Sequence, residues 1–447
     1  METVAQVIAF VGVLVFLAHL FSGIFSKTRV PDVILLILIG FCIGPLLGLV
    51  TPTTFGSIGP VFTSITLIII LFESGLALKL SMLRAALGGV MALASLSFFL
   101  TMGIVAGLAI LITGLDVIPA FILGAIVGST SEAIIIPLVK QLKVTEETQT
   151  LLSVESTIND VLSIVITVAL VQAATSGSFK IWTVSGQLLA SFFVALIIGA
   201  IGAFLWSAVL HRIHVLKNAI FTTPAFVFII YGVVEVLGFS GAIAALAFGV
   251  TIGNIETINL PIFRKPDKEP VGLNQIEKIF FSEVAFLLKT FFFVYVGICL
   301  ELVTTWFIIM ALIFTAVAFA IRIPAIKVSI RKILPAKDLS VMAVMVPKGL
   351  AAVVLATIPL QQGIAGGDII KNVTYGVIVF SIILTSILVL LLEKTGLPRV
   401  YAGILKPLRI NLRKKSADTP KVTGSKPRRV TAHSNVSPTH TTLKNKK

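Results

Sequence analysis

Apolar residues run along this chain in blocks, not in one-sided stripes. Each block is long enough to cross a bilayer, which takes about 20 residues, and each is bounded by short polar or basic stretches. Thirteen can be marked: 5–25, 31–50, 60–80, 85–113, 117–139, 149–173, 183–210, 218–237, 240–258, 279–300, 303–326, 339–360 and 373–392. A helix satisfies its backbone N–H and C=O groups within its own segment, which is the condition hydrocarbon imposes. The pattern therefore predicts an all-α polytopic membrane protein with 13 transmembrane helices. The first block lacks a basic stretch before it and a small-residue cleavage site after it, so it reads as a retained span.

Loop charge gives the orientation. The loops after spans 1, 3, 5, 7, 9 and 11 hold 16 Lys and Arg, whereas those after spans 2, 4, 6, 8, 10 and 12 hold only Lys180 and Lys371. Positive charge concentrates on the cytoplasmic side. The expected topology is integral to the inner membrane, with the N-terminus outside and the C-terminus in the cytoplasm. The spacing also predicts an internal repeat. Spans 4–6 occupy 85–173 and spans 11–13 occupy 303–392, seven spans apart. An odd offset makes the two units enter the membrane from opposite sides, the mark of an inverted-topology repeat. The middle span of each unit is interrupted, by Gly128-Ser129-Thr130-Ser131-Glu132 and Pro137 in one and by Pro347-Lys348-Gly349 in the other. Paired interrupted spans point to a transporter's binding site, although Gly and Pro are also common in membrane helices generally.

Composition agrees and excludes other classes. Hydrophobic residues make up 57% and charged residues 12%, against about 25% charged in a soluble domain. Soluble enzymes and nucleic-acid binders are thereby excluded as readings of the whole chain. Much of the net charge of +15 sits at the end: from Lys394 onward there are 14 Lys and Arg against one acid, Asp418. That segment, rich in Ser, Thr and Pro, cannot bury a core and is expected to be disordered, its charge facing anionic lipid. Cys42 and Cys299 both lie in apolar runs, which speaks against a disulfide framework. His19, His211, His214, His433 and His440 are too scattered for a metal cluster. No phosphate-binding G-x-x-x-x-G-K-[ST] run exists, so a primary pump is excluded. Gly238-Phe239-Ser240-Gly241 resembles a rhomboid nucleophile motif, but no later span carries a histidine to serve as base. It reads as the turn between spans 8 and 9, and neither enzyme activity nor a cofactor is expected.

Ionisable side chains within the bilayer are costly and are functional candidates by default. Glu73, Glu132, Glu155, Asp160, Lys289, Arg322 and Lys348 qualify. The densest group is Glu155-Ser156-Thr157-Ile158-Asn159-Asp160 in span 6, where Ser156 and Asp160 share one helix face and Glu155 and Asn159 the next. Asp160 lies roughly 16 Å into its span and Thr130 is similarly central, at about 1.5 Å per residue. A carboxylate, hydroxyls and freed carbonyls at one depth suit a small hard cation. The same residues could instead join helices, Asp160 by a salt bridge and Ser156 and Thr130 by close packing. Glu155 is better suited to a structural pair with Arg322 than to ion transport. Lys348 and Glu132 are placed to neutralise the ends of broken helices. Lys289 could do the same or snorkel.

These residues carry a resemblance. Over about residues 1–400 the chain resembles the monovalent cation/proton antiporters, in particular the electroneutral NhaP-type sodium/proton exchangers. Glu155-Ser156-x-x-Asn159-Asp160 is similar to that family's E-S-x-x-N-D motif, Phe72-Glu73-x-Gly75-Leu76 to its acidic third span, Arg322 to its arginine on span 11, and Pro347-Lys348-Gly349 to the basic-Gly pair of its second crossed helix. The resemblance implies an ion and proton site at Asp160, Ser156, Thr130 and Glu73, with the cation held at Asp160, Ser156 and Thr130. Where the family usually has Thr-Asp-Pro, this chain has Thr130-Ser131-Glu132. Ser131 replaces the aspartate, Glu132 is a candidate to supply its charge, and the choice between sodium, potassium and lithium stays open. The resemblance further implies a homodimer working as an elevator, with two crossed discontinuous helices. In that arrangement 1–84 and 174–300 form the scaffold, 85–173 and 301–392 the core, and 393–447 the tail. Asn159 cannot carry a proton charge, so one carboxylate titrates and the simplest cycle is electroneutral, one proton for one cation. The rival reading is a proton- or sodium-coupled symporter of an organic solute.

Overall fold

The structure is a computed structural model. It describes residues 2–28, 31–52, 58–81, 89–142, 144–175, 181–213, 219–258, 272–300, 304–330, 334–394, 401 and 403–404. Most of the expected tail lies outside these residues. The described residues form fifteen α-helices and contain no strand. In chain order these are α1 (Glu2–Thr28), α2 (Asp32–Phe41), α3 (Ile58–Ala77), α4 (Gly89–Thr113), α5 (Val117–Gly128), α6 (Glu132–Gln141), α7 (Glu146–Thr175) and α8 (Ile181–Ile213). They continue with α9 (Thr222–Val236), α10 (Gly241–Gly253), α11 (Gln275–Ile298), α12 (Thr305–Ser329), α13 (Ala336–Val344), α14 (Leu350–Gln361) and α15 (Gly367–Lys394).

Seven described helices are long and apolar enough to cross a membrane, and the other apolar helices are shorter. The short ones have local causes. α2 passes into a π-helical turn, Cys42–Leu46, around Pro45. Leu47 N–H then reaches back to the Cys42 carbonyl at 3.0 Å, and Gly48 with φ of +64° ends the segment. Helix therefore stops short of the apolar run's end at residue 50. α5 and α6 are two pieces of one apolar run, parted at 129–131, and α13 and α14 are two pieces of another, parted at 345–349. α11 starts four residues before its apolar run because Asn274 and Glu277 form a capping box, which satisfies two otherwise unpaired backbone donors. Leu111, Phe16 and Val236 are 81%, 75% and 87% exposed. Such an apolar exterior fits lipid as the surrounding solvent.

Helix packing separates two groups. α3 packs on α10, α10 on α8 and α9, and α2 on α11 and α1. Independently, α4 packs on α5, α7 and α12, and α15 on α12, α13 and α14. The groups meet along a narrower seam, chiefly α8 against α7 and α3 and α11 against α14. The first group is held at backbone distance by glycine. A Cβ on Gly249 would strike the Phe72 carbonyl of α3, and one on Gly297 of α11 would strike the Ile37 carbonyl of α2. Small residues permit this close approach, and packing is what drives helix association in membranes.

Candidate functional site

The break between α5 and α6 meets the break between α13 and α14. Ser129 and Ser131 adopt extended backbone at the end of α5 and the start of α6, and Gly349 does so before α14. Ser and Thr offer the backbone local alternatives to helix, and Pro347 has no N–H to donate. The freed groups pair across the gap. Ser131 N–H donates to the Pro347 carbonyl at 2.8 Å, and the Lys348 ammonium donates to the Ser129 carbonyl at 2.7 Å. Lys348 N–H donates to Ser381 Oγ on α15 at 3.0 Å. A Cβ on Gly349 would collide with the Ser131 hydroxyl, so only glycine fits at this contact. The Lys348 charge thus stands at the carbonyl end of α5 and Glu132 in the first turn of α6, each where it complements the partial charge of a helix end.

α7 passes beside these breaks and begins at Glu146, three residues before its apolar run. Glu155 and Arg322 are 1% exposed and form a bidentate pair that joins α7 to α12, with Arg322 Nη2 to Glu155 Oε2 at 2.7 Å and Nη1 to Oε1 as the second arm. Arg322 Nε also donates to the Met342 carbonyl at the end of α13, at 3.0 Å. On the same face as Glu155, Asn159 Nδ2 donates to Thr130 Oγ1 at 3.2 Å, while the buried Asn159 Oδ1 receives no hydrogen bond from a described residue. The Ser156 hydroxyl donates to the Ser153 carbonyl at 3.0 Å.

Glu73 on α3, Ser131, Glu132 on α6, Asp160 on α7 and Lys289 on α11 line one cavity of about 420 Å³, together with Leu350 and Ala351 of α14. Among the described residues, none donates a hydrogen bond to the carboxylate of Asp160 or of Glu73. Of the residues singled out in the sequence, the structure brings Asp160, Glu73, Ser131, Glu132 and Lys289 to the cavity. Thr130 and Ser156 do not line it; their hydroxyls are engaged with Asn159 and with the Ser153 carbonyl. Two contributors were given no role from the sequence. Thr157 and Ser153 donate to Glu132 at 2.8 and 3.4 Å. The signals were present: Ser153, Thr157 and Asp160 follow i, i+4, i+7, and Ser282, Ala285, Phe286 and Lys289 follow i, i+3, i+4, i+7, each one helical face.

A second cavity, of about 260 Å³, opens farther along the same seam, lined by Ser64 of α3, Gln172 of α7, Glu235 of α9 and Gln361 of α14. Ser240 caps α10 by accepting the Ile243 N–H at 3.3 Å, and Gly238 has φ of +80°. The Gly-x-Ser-Gly run is therefore a turn. Among the described residues no group of His, Cys, Asp and Glu could hold a metal ion of the coordinated kind.

Comparison with known proteins agrees with this architecture. The profile of the sodium/hydrogen exchanger transmembrane family matches residues 12–394. The Na(+)/H(+) antiporter 1 of Methanocaldococcus jannaschii is 25% identical over 312 residues, 66% of this chain and 68% of that protein. The K(+)/H(+) antiporter NhaP of Alkalimonas amylolytica is 27% identical over 394 residues, 86% of this chain and 65% of that protein. The K(+)/H(+) antiporter NhaP2 of a Shewanella strain, MR-4, is 26% identical over 340 residues, 72% of this chain and 55% of its own length. The chain thus spans between about half and two thirds of these relatives. The structure of the sodium proton antiporter MjNhaP1 from M. jannaschii at pH 8 superposes with a TM-score of 0.68 at 22% identity, covering 91% of this chain and 100% of that one, a likeness of fold. The chain belongs to the sodium/hydrogen exchanger transmembrane family, which is a family of transporters and not of enzymes.

Proposed function

We propose that this protein is a secondary antiporter that exchanges protons for a monovalent cation at the cavity lined by Asp160. The observation that carries the reading is the convergence of Asp160, Glu73 and Glu132 on one cavity beside two helix breaks that touch. Asp160 takes a cation or a proton, and only the loaded protein reorients. Glu73 and Ser131 complete the inner wall of the site, and Thr130, Ser156 and Asn159 stand behind Asp160 as oxygen and amide groups within reach of a small rearrangement. Glu155, Arg322 and Lys348 hold the broken helices in place. The named relatives divide between sodium and potassium, and the cargo here is a monovalent cation of that group, sodium, potassium or lithium.

The mechanical reading follows the packing. Thirteen spans cross the inner membrane, with the N-terminus outside and the C-terminus in the cytoplasm. Residues 85–173 and 301–392 form a core with an inverted-topology repeat and two crossed discontinuous helices. Residues 1–84 and 174–300 form the scaffold of a homodimer. Two cavities along one seam support an elevator, in which the core slides against the scaffold and Asp160 meets each cavity in turn. With Asn159 uncharged the cycle exchanges one proton for one cation. Proteoliposomes offered sodium, potassium and lithium in turn test the reading. Proton flux driven by at least one of these ions, without any organic solute, is expected. Flux that requires an organic solute would establish a symporter instead.

A further inference from the structure

Thr66 of α3 is fully buried, and its hydroxyl has no hydrogen-bond partner among the described residues. A helical threonine can bond back to the carbonyl four residues earlier, as Thr101, Thr290 and Thr315 do here at 2.7, 2.9 and 2.7 Å. Thr66 does not. Among the described residues it is the one buried side chain so left outside α7, α12 and α15. A buried polar group without a partner calls for a functional reason, and the position of Thr66 narrows the choice. Thr66, Ile70, Glu73 and Ala77 follow i, i+4, i+7, i+11, one face of α3. The last three line the Asp160 cavity. Thr63, Ser64 and Leu67, around Thr66 in the chain, line the second cavity. Thr66 therefore stands on the Glu73 stripe where one cavity gives way to the other. α7 crosses the same interval, with Asp160 at the first cavity and Val168 and Val171 at the second. Thr66 lies seven residues before Glu73, roughly 10 Å at about 1.5 Å per residue.

We propose that Thr66 is a second oxygen station on α3: its hydroxyl meets Asp160 and the bound cation at the second cavity, as Glu73 does at the first. The inference rests on the antiporter reading, with the core sliding along α3. In that movement Asp160 leaves the level of Glu73, passes Ile70 and arrives at Thr66. Ile70 offers no oxygen, so Asp160 crosses that interval with its charge covered by a cation or a proton. The two stations differ in chemistry. Glu73 supplies a carboxylate, whereas Thr66 supplies a neutral hydroxyl, whose oxygen accepts and whose O–H donates. The second cavity is thereby the weaker cation site of the two.

The test has two arms. In a full chain carrying Cys42→Ser and Cys299→Ser, Thr66→Cys and Asp160→Cys are combined. The protein is oxidised in membranes with copper phenanthroline, and free thiols are counted with maleimide after denaturation. A disulfide needs Cα atoms within about 7 Å, so the bridge forms only if Asp160 travels to Thr66. Loss of both thiols, with none lost in either single variant, is expected; two free thiols would overturn the proposal. In the second arm, cation-driven proton exchange is measured in right-side-out and everted vesicles. Thr66→Val keeps the shape and removes the hydroxyl. Its apparent KM for sodium or potassium should rise about fivefold at the face to which the second cavity opens, the outside on the proposed topology. The KM at the other face should not change, and melting should be no lower than that of the wild type. Thr66→Ala replaces this variant should it not fold, and Thr66→Ser keeps the hydroxyl and should restore the KM. A KM unchanged at both faces, or raised equally at both, would overturn the proposal. A wild type that exchanges no cation refutes the antiporter reading, and the disulfide then decides whether Asp160 and Thr66 meet.

Discussion

Glu155 and Asp160 sit five residues apart on one helix, and the protein treats them in opposite ways. Glu155 is sealed in, both oxygens taken by Arg322, which in turn holds the Met342 carbonyl. Asp160 faces a cavity among other carboxylates, with no hydrogen bond from a described residue. A saturated buried pair cannot exchange its partner without a large loss, since breaking one leaves an uncompensated charge. An unsaturated carboxylate at a cavity wall can exchange a proton for a cation, and its partner is whatever the cavity supplies. The same side-chain chemistry thus builds the frame in one place and the site in the other, and surroundings decide which.

Removing Glu155 should give the largest effect on stability. Glu155→Ala leaves Arg322 buried and unpaired and is expected to cost about 3–5 kcal/mol, read as a lower melting temperature in detergent, with transport falling in step. Unchanged melting with transport lost would place Glu155 in the ion path and erase the contrast with Asp160. A milder change sharpens the boundary between frame and site. Thr157→Val removes the 2.8 Å hydrogen bond to Glu132 and should cost about 0.5–2 kcal/mol. It leaves Asp160 untouched, so exchange should persist with an altered apparent cation affinity. Complete loss of exchange in a well-folded Thr157→Val would make Glu132 a partner in the chemistry. The smallest expected effect is that of voltage. If Asp160 alone titrates, a membrane potential, worth about 2.3 kcal/mol per charge per 100 mV, should leave the exchange equilibrium where it was. A shift with an imposed potential, in an assay whose potential-setting ion is not transported, would add a second titrating group, with Glu132 the first to examine.

Much of the frame was legible in the sequence because lipid imposes a simple rule. Long apolar runs must be helical, and α4, α7, α12 and α15 fall on such runs. Helix ends were less legible. The π-turn at Pro45 shortens α2, and the capping box at Asn274 lengthens α11, both through local hydrogen bonds that hydropathy does not register. The interruptions at 129–131 and 345–349 were visible as polar and Pro-Gly clusters, but their mutual hydrogen bonds depend on tertiary packing. Asp160 and Glu132 stood out as acids in apolar surroundings. Thr157 and Ser153 were harder to place. Thr and Ser are ordinary in membrane helices, and a lone Lys289 could have snorkelled. Only the convergence of α3, α6, α7, α11 and α14 on one cavity gives Thr157 and Ser153 a role and brings Lys289 to the site.

The central claim is that Asp160 is the carboxylate at which proton and cation exchange. Asp160→Asn preserves its shape and removes its charge. The decisive measurement is cation-driven proton flux into proteoliposomes holding equal amounts of wild type and Asp160→Asn, with melting temperatures taken on the same preparations. The account predicts exchange by the wild type, none by the variant, and melting of the variant no lower than that of the wild type. Exchange by a well-folded Asp160→Asn at the wild-type rate would contradict it.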